Sequence, residues 1–227
     1  MSASWVVVIG LIAAGGTDQQ RPTAAEEVRS IVTAHRTLQA FDLRIDAWLG
    51  STGASEPLTA TVKCDGHERC LRVFQSWTTL ETPALSLVVD ERERTITVMR
   101  GKVTPARGSP ALEPRDMLQA WLDRGGKVAG GETTPEGRRW TFERADAAGP
   151  PAAVYVDEHT HLLRRLVYGQ TEPGGAPVLI DVHYTWGDGS RLDASDFDVG
   201  RFVAEEGDAI TPAEGYAGYR IIRTDRR

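Results

Sequence analysis

The chain reads as an α+β protein built on one large antiparallel sheet. Three observations predict this. A single amphipathic helical pattern comes first, a long succession of alternating segments follows, and only one further short helical pattern interrupts them. Strands outnumber helices several-fold, so the helices must cover a sheet rather than pack on one another. A large sheet with few helices to cover it points to a cavity or groove, not to a catalytic crevice.

The 227 residues suit one domain, or at most a domain with a small appendage. A hydrophobic content of 41% is enough for a core. The net charge of −6 and a pI near 5.4 oppose non-specific nucleic-acid binding, because nothing would neutralise phosphates broadly.

The first sixteen residues carry no charged side chain. Positions 5–14 read WVVVIGLIAA, too short an apolar run to span a bilayer as a helix. Small residues follow up to Gly16, and the chain then turns polar. This resembles a secretory signal peptide over 1–16, although its start lacks the usual lysine or arginine. The alternative is a buried N-terminal strand. Residues 17–227 then form the mature domain.

Thr23 and Glu26 fit a capping box. Val28, Ile31, Val32, His35 and Leu38 follow at three- and four-residue spacing and predict a helix lying on the sheet. His35 on that stripe reads as a satisfied core histidine before it reads as a ligand. At residues 41–49 the period changes. Phe41, Leu43, Ile45, Ala47 and Leu49 alternate with Asp42, Arg44, Asp46 and Trp48, the mark of a half-buried strand. Residues 58–64 and 70–77 predict a hairpin, and 84–89 with 95–100 another with a charged turn between. Met117, Leu118, Trp121 and Leu122 place a short second helix at 113–124, stopped by Gly125 and Gly126. Four strands follow at 138–144, 152–157, 161–168 and 178–186. In the last, Val178, Ile180, Val182, Tyr184 and Trp186 share a face. Phe197 and Phe202 form a lone apolar pair in the tail, and 219–222 is a final possible strand.

Cys64 and Cys70 flank an Asp-Gly turn signal, so the simplest reading is a hairpin with its ends joined by a disulfide, in keeping with export. The rival reading, a metal site with His67, lacks a fourth ligand and the short Cys-x-x-Cys spacing of zinc sites. Free thiols are the third. Asp157, His159 and His161 could meet on one face and hold a divalent metal, or form the polar tip of a strand–turn–strand. His183 lies opposite the apolar phase and faces solvent. Asp188, Asp193, Asp196 and Asp198 read as a surface loop, since their spacing does not match a calcium loop. No nucleophile elbow, phosphate-binding glycine loop or His-Glu-x-x-His pair occurs. Neither an enzyme nor a cofactor is expected. Trp48, Trp77, Trp121, Trp140 and Trp186 are core residues or the aromatic lining of an apolar cavity.

The order of these elements resembles the LolA-like family, which includes periplasmic lipoprotein carriers. The helix and strand from Val28 to Trp48 resemble its opening. Leu87-Val88-Val89-Asp90 with Thr95-Ile96-Thr97-Val98 resembles its central hairpin. Ser109-Pro110-Ala111-Leu112, continuing to Trp121-Leu122, resembles its internal segment. Val154-Tyr155-Val156-Asp157 with Leu162-Leu163-Arg164-Arg165-Leu166 resembles its late hairpin. Tyr184-Thr185-Trp186, leading to Leu192-Asp193-Ala194-Ser195-Asp196-Phe197, resembles its closing strand and Phe segment. The resemblance spans residues 24–203; the Cys64–Cys70 hairpin and the C-terminal extension lie outside its pattern. It implies a strongly curved half-barrel whose concave face is covered by the leading and internal helices. It also implies a soluble periplasmic monomer that holds lipoprotein acyl chains or other lipid without catalysis. The alternative within the fold is an envelope sensor that binds a protein partner, and a hydrolase or metal enzyme centred on His159 and His161 is a third reading. Alternation offers Leu43, Ile45, Trp140, Phe142, Val182, Tyr184 and Trp186 as lining residues.

Overall fold

A computed structural model describes residues 24–50, 56–66, 68–100, 127–143, 152–171, 177–190, 192–207 and 209–224. The helix α1 spans Ala24–Thr37, with Glu26 and Glu27 in its first turn and Arg36 in its last, the arrangement the helix dipole favours. Val28, Ile31, Val32 and His35 are its buried stripe. The cap at Thr23 and the short helix expected at 113–124 lie outside the described residues.

Fourteen strands follow among the described residues: β1 Ala40–Leu49, β2 Leu58–Asp65, β3 Arg69–Phe74, β4 Trp77–Glu81, β5 Leu85–Asp90, β6 Thr95–Arg100, β7 Lys127–Thr134, β8 Gly137–Glu143, β9 Ala152–Val156, β10 Leu163–Thr171, β11 Pro177–Trp186, β12 Val203–Glu206, β13 Ala209–Pro212 and β14 Arg220–Arg223. Twelve make one sheet in the order β14-β6-β5-β4-β3-β2-β1-β11-β10-β9-β8-β7, while β12 and β13 form a separate hairpin. The architecture is α+β and mostly antiparallel. The described strands do not close on themselves, since β14 and β7 stand at opposite edges.

Three departures from the sequence reading have local causes. The run at 70–77 is two strands, because Gln75 takes φ +53° and reverses the chain between Phe74 and Trp77. Apolar alternation continues through that turn without a glycine to announce it. The strand β7 was not expected, because glycine occupies its middle. A Cβ at Gly131 would come within 2.6 Å of the Trp140 ring, so the glycine lets that ring lie over the strand. The strand β14 runs parallel to β6, so the sheet is not purely antiparallel. The long segment before it crosses the molecule and enters the edge beside the β5–β6 turn, with Arg220 N–H donating to the Arg94 carbonyl.

Directly opposed residues of an antiparallel ladder share a face. Leu43 lies opposite Val62 and Trp186, and Ile45 opposite Ala60 and Tyr184. With Trp140, Val154, Val156, Leu163 and Leu166 they form a core beneath α1. Leu71 lies opposite Lys63 and Leu80, Leu80 opposite Leu87, and Leu87 opposite Val98. Lys63 follows Val62 in sequence, so its side chain leaves the other face. A second core of Leu71, Leu80, Leu87, Val89, Ile96 and Val98 therefore occupies the reverse of the sheet. Phe197, Phe202, Val203 and Ile210 cover it. The tail phenylalanines are not a lone pair but part of this second layer.

Candidate apolar binding face

The candidate site is the helix side of β1, β2 and β8–β11. The period-2 pattern of each strand places its apolar set there, and the registers align those sets. Leu43, Ile45, Trp140, Val182 and Tyr184 come together in one cluster and are all buried, with Trp186 half-buried against it. Phe142 lies in β8 with its backbone opposite Ala152 and Val128; its side chain lies outside the described residues. Burial raises the pKa of the Tyr184 phenol, with the Tyr168 phenol adding to the shift, and burial raises Tyr168 as well, so both stay neutral.

One end of this face is closed by α1. His35 packs edge-on to Trp186 at 5.2 Å, and Trp186 Nε1 donates to the Leu163 carbonyl at 2.7 Å. His35 Nδ1 lies 2.7 Å from the Ile31 carbonyl, which can only accept, and Nε2 lies 3.4 Å from the Leu163 N–H, which can only donate. The ring is therefore the neutral Nδ1–H tautomer, a satisfied core histidine as expected. Glu27, buried on the same helix, approaches His161 Nδ1 at 3.3 Å.

Among the described residues, the other end of the face carries exposed apolar side chains. Leu49, at the end of β1, lies opposite Ile180, which lies opposite Tyr168. Leu58, the first residue of β2, lies opposite Ala47. Leu49, Leu58 and Val178 are exposed, while Ala47, Tyr168 and Ile180 are partly buried against the core. An apolar surface thus runs from the α1 end to an exposed rim. Sequence alternation contained Leu49, Leu58 and Val178, but without pairings it could not place them together. Within the core, Trp140 Nε1 is buried without a hydrogen-bond partner, and the Arg138 guanidinium sits 4.8 Å from the same ring.

The reverse side of these strands is polar. Thr59, Asp46, His183, Arg165, Tyr155, Arg139 and Glu132 stand directly opposite one another across seven strands. Arg165 grips the buried Asp181 with two 2.8 Å bonds, and the Arg44 hydrogen bond holds the Asp46 carboxyl below its usual pKa. His183, half-exposed, lies 3.2 Å from Asp181 and packs edge-on to Trp48. The helix side is therefore the apolar face of these strands and the reverse side the polar one.

The remaining candidates resolve as structure. Cys64 and Cys70 stand directly opposite each other and are joined by a disulfide. His67, of the rival metal reading, lies outside the described residues. Asp157 Oδ1 accepts from the His159 and Thr160 N–H groups and the Thr160 hydroxyl, so 157–161 is the strand–turn–strand. Asp193 and Asp198 cap the short 3-10 turns 194–197 and 199–201, and Asp196 binds Lys63 at 2.7 Å. Among the described residues no group of three or more His, Cys, Asp or Glu is placed to hold a metal ion.

No protein-family model and no curated protein matches the chain. Solved structures with a similar course exist. An uncharacterized conserved protein from Thermus thermophilus is 13% identical, with a TM-score of 0.48 over 89% of this chain and 100% of that one. A LolA superfamily protein from Nitrosomonas europaea is 9% identical, with a TM-score of 0.35 over 78% and 98%. The lipoprotein LppX of Mycobacterium tuberculosis is 12% identical, with a TM-score of 0.35 over 74% and 95%. The group named by the sequence motifs is thus among the structures this chain resembles. Likenesses this distant say nothing about what the chain binds.

Proposed function

We propose that this protein is an exported, periplasmic carrier or binder of acyl chains, those of lipoproteins or of other lipids, held on the helix side of a curved half-barrel sheet. The observation that supports this reading is the apolar surface that begins under α1 and ends in the exposed rim of Leu49, Leu58 and Val178. Among the described residues the apolar face continues beyond the buried core to exposed side chains at one end. Each methylene that enters such a surface contributes about 0.8 kcal/mol. The unpaired Trp140 N–H offers a donor to an ester or amide carbonyl. On this reading Leu43, Ile45, Trp140, Phe142, Val182, Tyr184 and Trp186 form the inner lining and Ile180 the approach. The second reading, an envelope interaction module, draws on the outer edges of β7 and β14, which have no strand neighbour among the described strands.

The test is titration of delipidated protein with a fluorescent long-chain fatty acid. Saturable uptake is expected, and Ile180→Glu should weaken it by about tenfold or more, because it places a charge where the chain passes. Absence of uptake by the wild-type protein sinks the acyl reading and favours the interaction module.

A further inference from the structure

We infer that the rim where β1, β2 and β11 end is a docking tip for a lipid surface. The inference rests on the acyl-binding reading for its purpose, though not for its geometry. Among the described residues the exposed large apolar side chains are Leu49, Leu58, Trp77, Val178 and Leu179. All but Trp77 lie at one end of three neighbouring strands.

The decisive residue is Leu179, which is 43% exposed. It alternates with Val178 and Ile180, so it projects from the reverse face, away from the acyl site. The residue opposite it in β10 is Gly169, which has no side chain to cover it, and on the other side β1 has ended by Gly50, whose N–H donates to the Leu179 carbonyl. A chain held on the helix side would cover Leu49, Leu58 and Val178 and leave Leu179 in water. One occupant that covers Leu49, at 57% exposure, together with Leu179 must surround the strand ends on both faces. A fluid lipid interface does so without a matching slot. Trp48 projects on the Leu179 side and packs on His183, an aromatic body with a polar neighbour, as residues at the headgroup level are arranged.

Charge selects the kind of surface. Among the described residues at these strand ends, 49–50, 56–58 and 177–180, Glu56 is charged and there is no lysine or arginine. Attraction to anionic headgroups is therefore not the driving force, and a zwitterionic surface is the fitting partner.

The experiment is flotation of the full chain with phosphatidylcholine vesicles, at low and high salt, for wild type, Leu179→Asp and Leu179→Ser. All carry the same N-terminus, so differences between them report the strand ends and not the apolar run at 5–14. Wild type should float at both salt concentrations. Both variants should partition at least about tenfold less, the scale of losing one buried leucine, while fatty-acid uptake in solution stays at the wild-type level. The serine variant, which adds no charge, tests the tip even where the aspartate variant fails to fold. Wild type that stays with the soluble fraction, or variants that float as well as wild type, overturn the inference. So does a lipid-free wild-type dimer that Leu179→Asp dissociates, which would assign the tip to a second copy of the chain. Leu179-dependent flotation without fatty-acid uptake would instead remove the acyl reading and leave the docking tip standing.

Discussion

Asp157 shows how a residue that looks like a ligand serves the chain instead. Its carboxylate accepts two backbone N–H groups and a hydroxyl within its own turn and pairs with Arg164. The Thr160 and His159 amides, the Thr160 hydroxyl and Arg164 hold its pKa down at about 2 against the desolvation that opposes them. The folded value is lower than the unfolded one, so its contribution is fully present above the ordinary value of 3.8 and is lost as pH falls through about 2. Asp157→Ala should cost about 1 kcal/mol at neutral pH, the usual loss for a carboxylate that caps free amides, and the gap from wild type should close near pH 2. Urea unfolding at the two pH values checks this; an equal gap at both refutes it. The same logic explains why a metal reading stands beside the turn reading in the sequence. Asp, His and Thr at turn spacing satisfy backbone amides as well as they satisfy a cation, and only the hydrogen bonds separate the two uses.

At the scale of elements, α1 is held by packing more than by propensity. Of the stripe read from spacing, Val28, Ile31, Val32 and His35 are buried, whereas Leu38 falls just past the helix end at Thr37 and is half-buried. Ile31 is fully buried, and Ile31→Ala should destabilise the fold by about 2–5 kcal/mol. A chemical-denaturation midpoint unchanged by that substitution would mean that α1 is not part of the cooperative core. The strands were legible to different degrees for physical reasons. In the run from Pro177 to Trp186 only Leu179 departs from the alternation, so the strand is legible almost to its ends. The strand Lys127–Thr134 carries Gly131, which admits the Trp140 ring, a cross-strand fact with no trace in local periodicity. The turn at Gln75 and Ser76 lacks the residues that favour positive φ, so it too was silent.

At the scale of the molecule, the sheet is covered on opposite faces at its two ends. The buried stripe of α1 packs beside β7 into the core shared by β1, β2 and β8–β11, while Phe197, Phe202, Val203 and Ile210 cover β3–β6 on the reverse face before β14 joins the sheet. The C-terminal extension is thus a structural layer. Phe202, 2% exposed in the second core, packs 5.4 Å from Tyr216. Phe202→Ala should cost about 3–5 kcal/mol, read from urea unfolding. A loss below about 1 kcal/mol would show that the reverse core contributes little to global stability.

The sequence by itself determined the fold class, the leading helix with its buried stripe, most strands, the facing cysteines and the alternation that gathers Leu43, Ile45, Trp140, Val182 and Tyr184 on one side. Tertiary structure alone decided which side of each strand is buried, where the two cores part, and that Leu49, Leu58, Val178 and Leu179 meet at one rim. The reason is that periodicity is a local property of the chain. It divides each strand into two faces, but only long-range register and the layer that lands on each face choose between core, site and solvent.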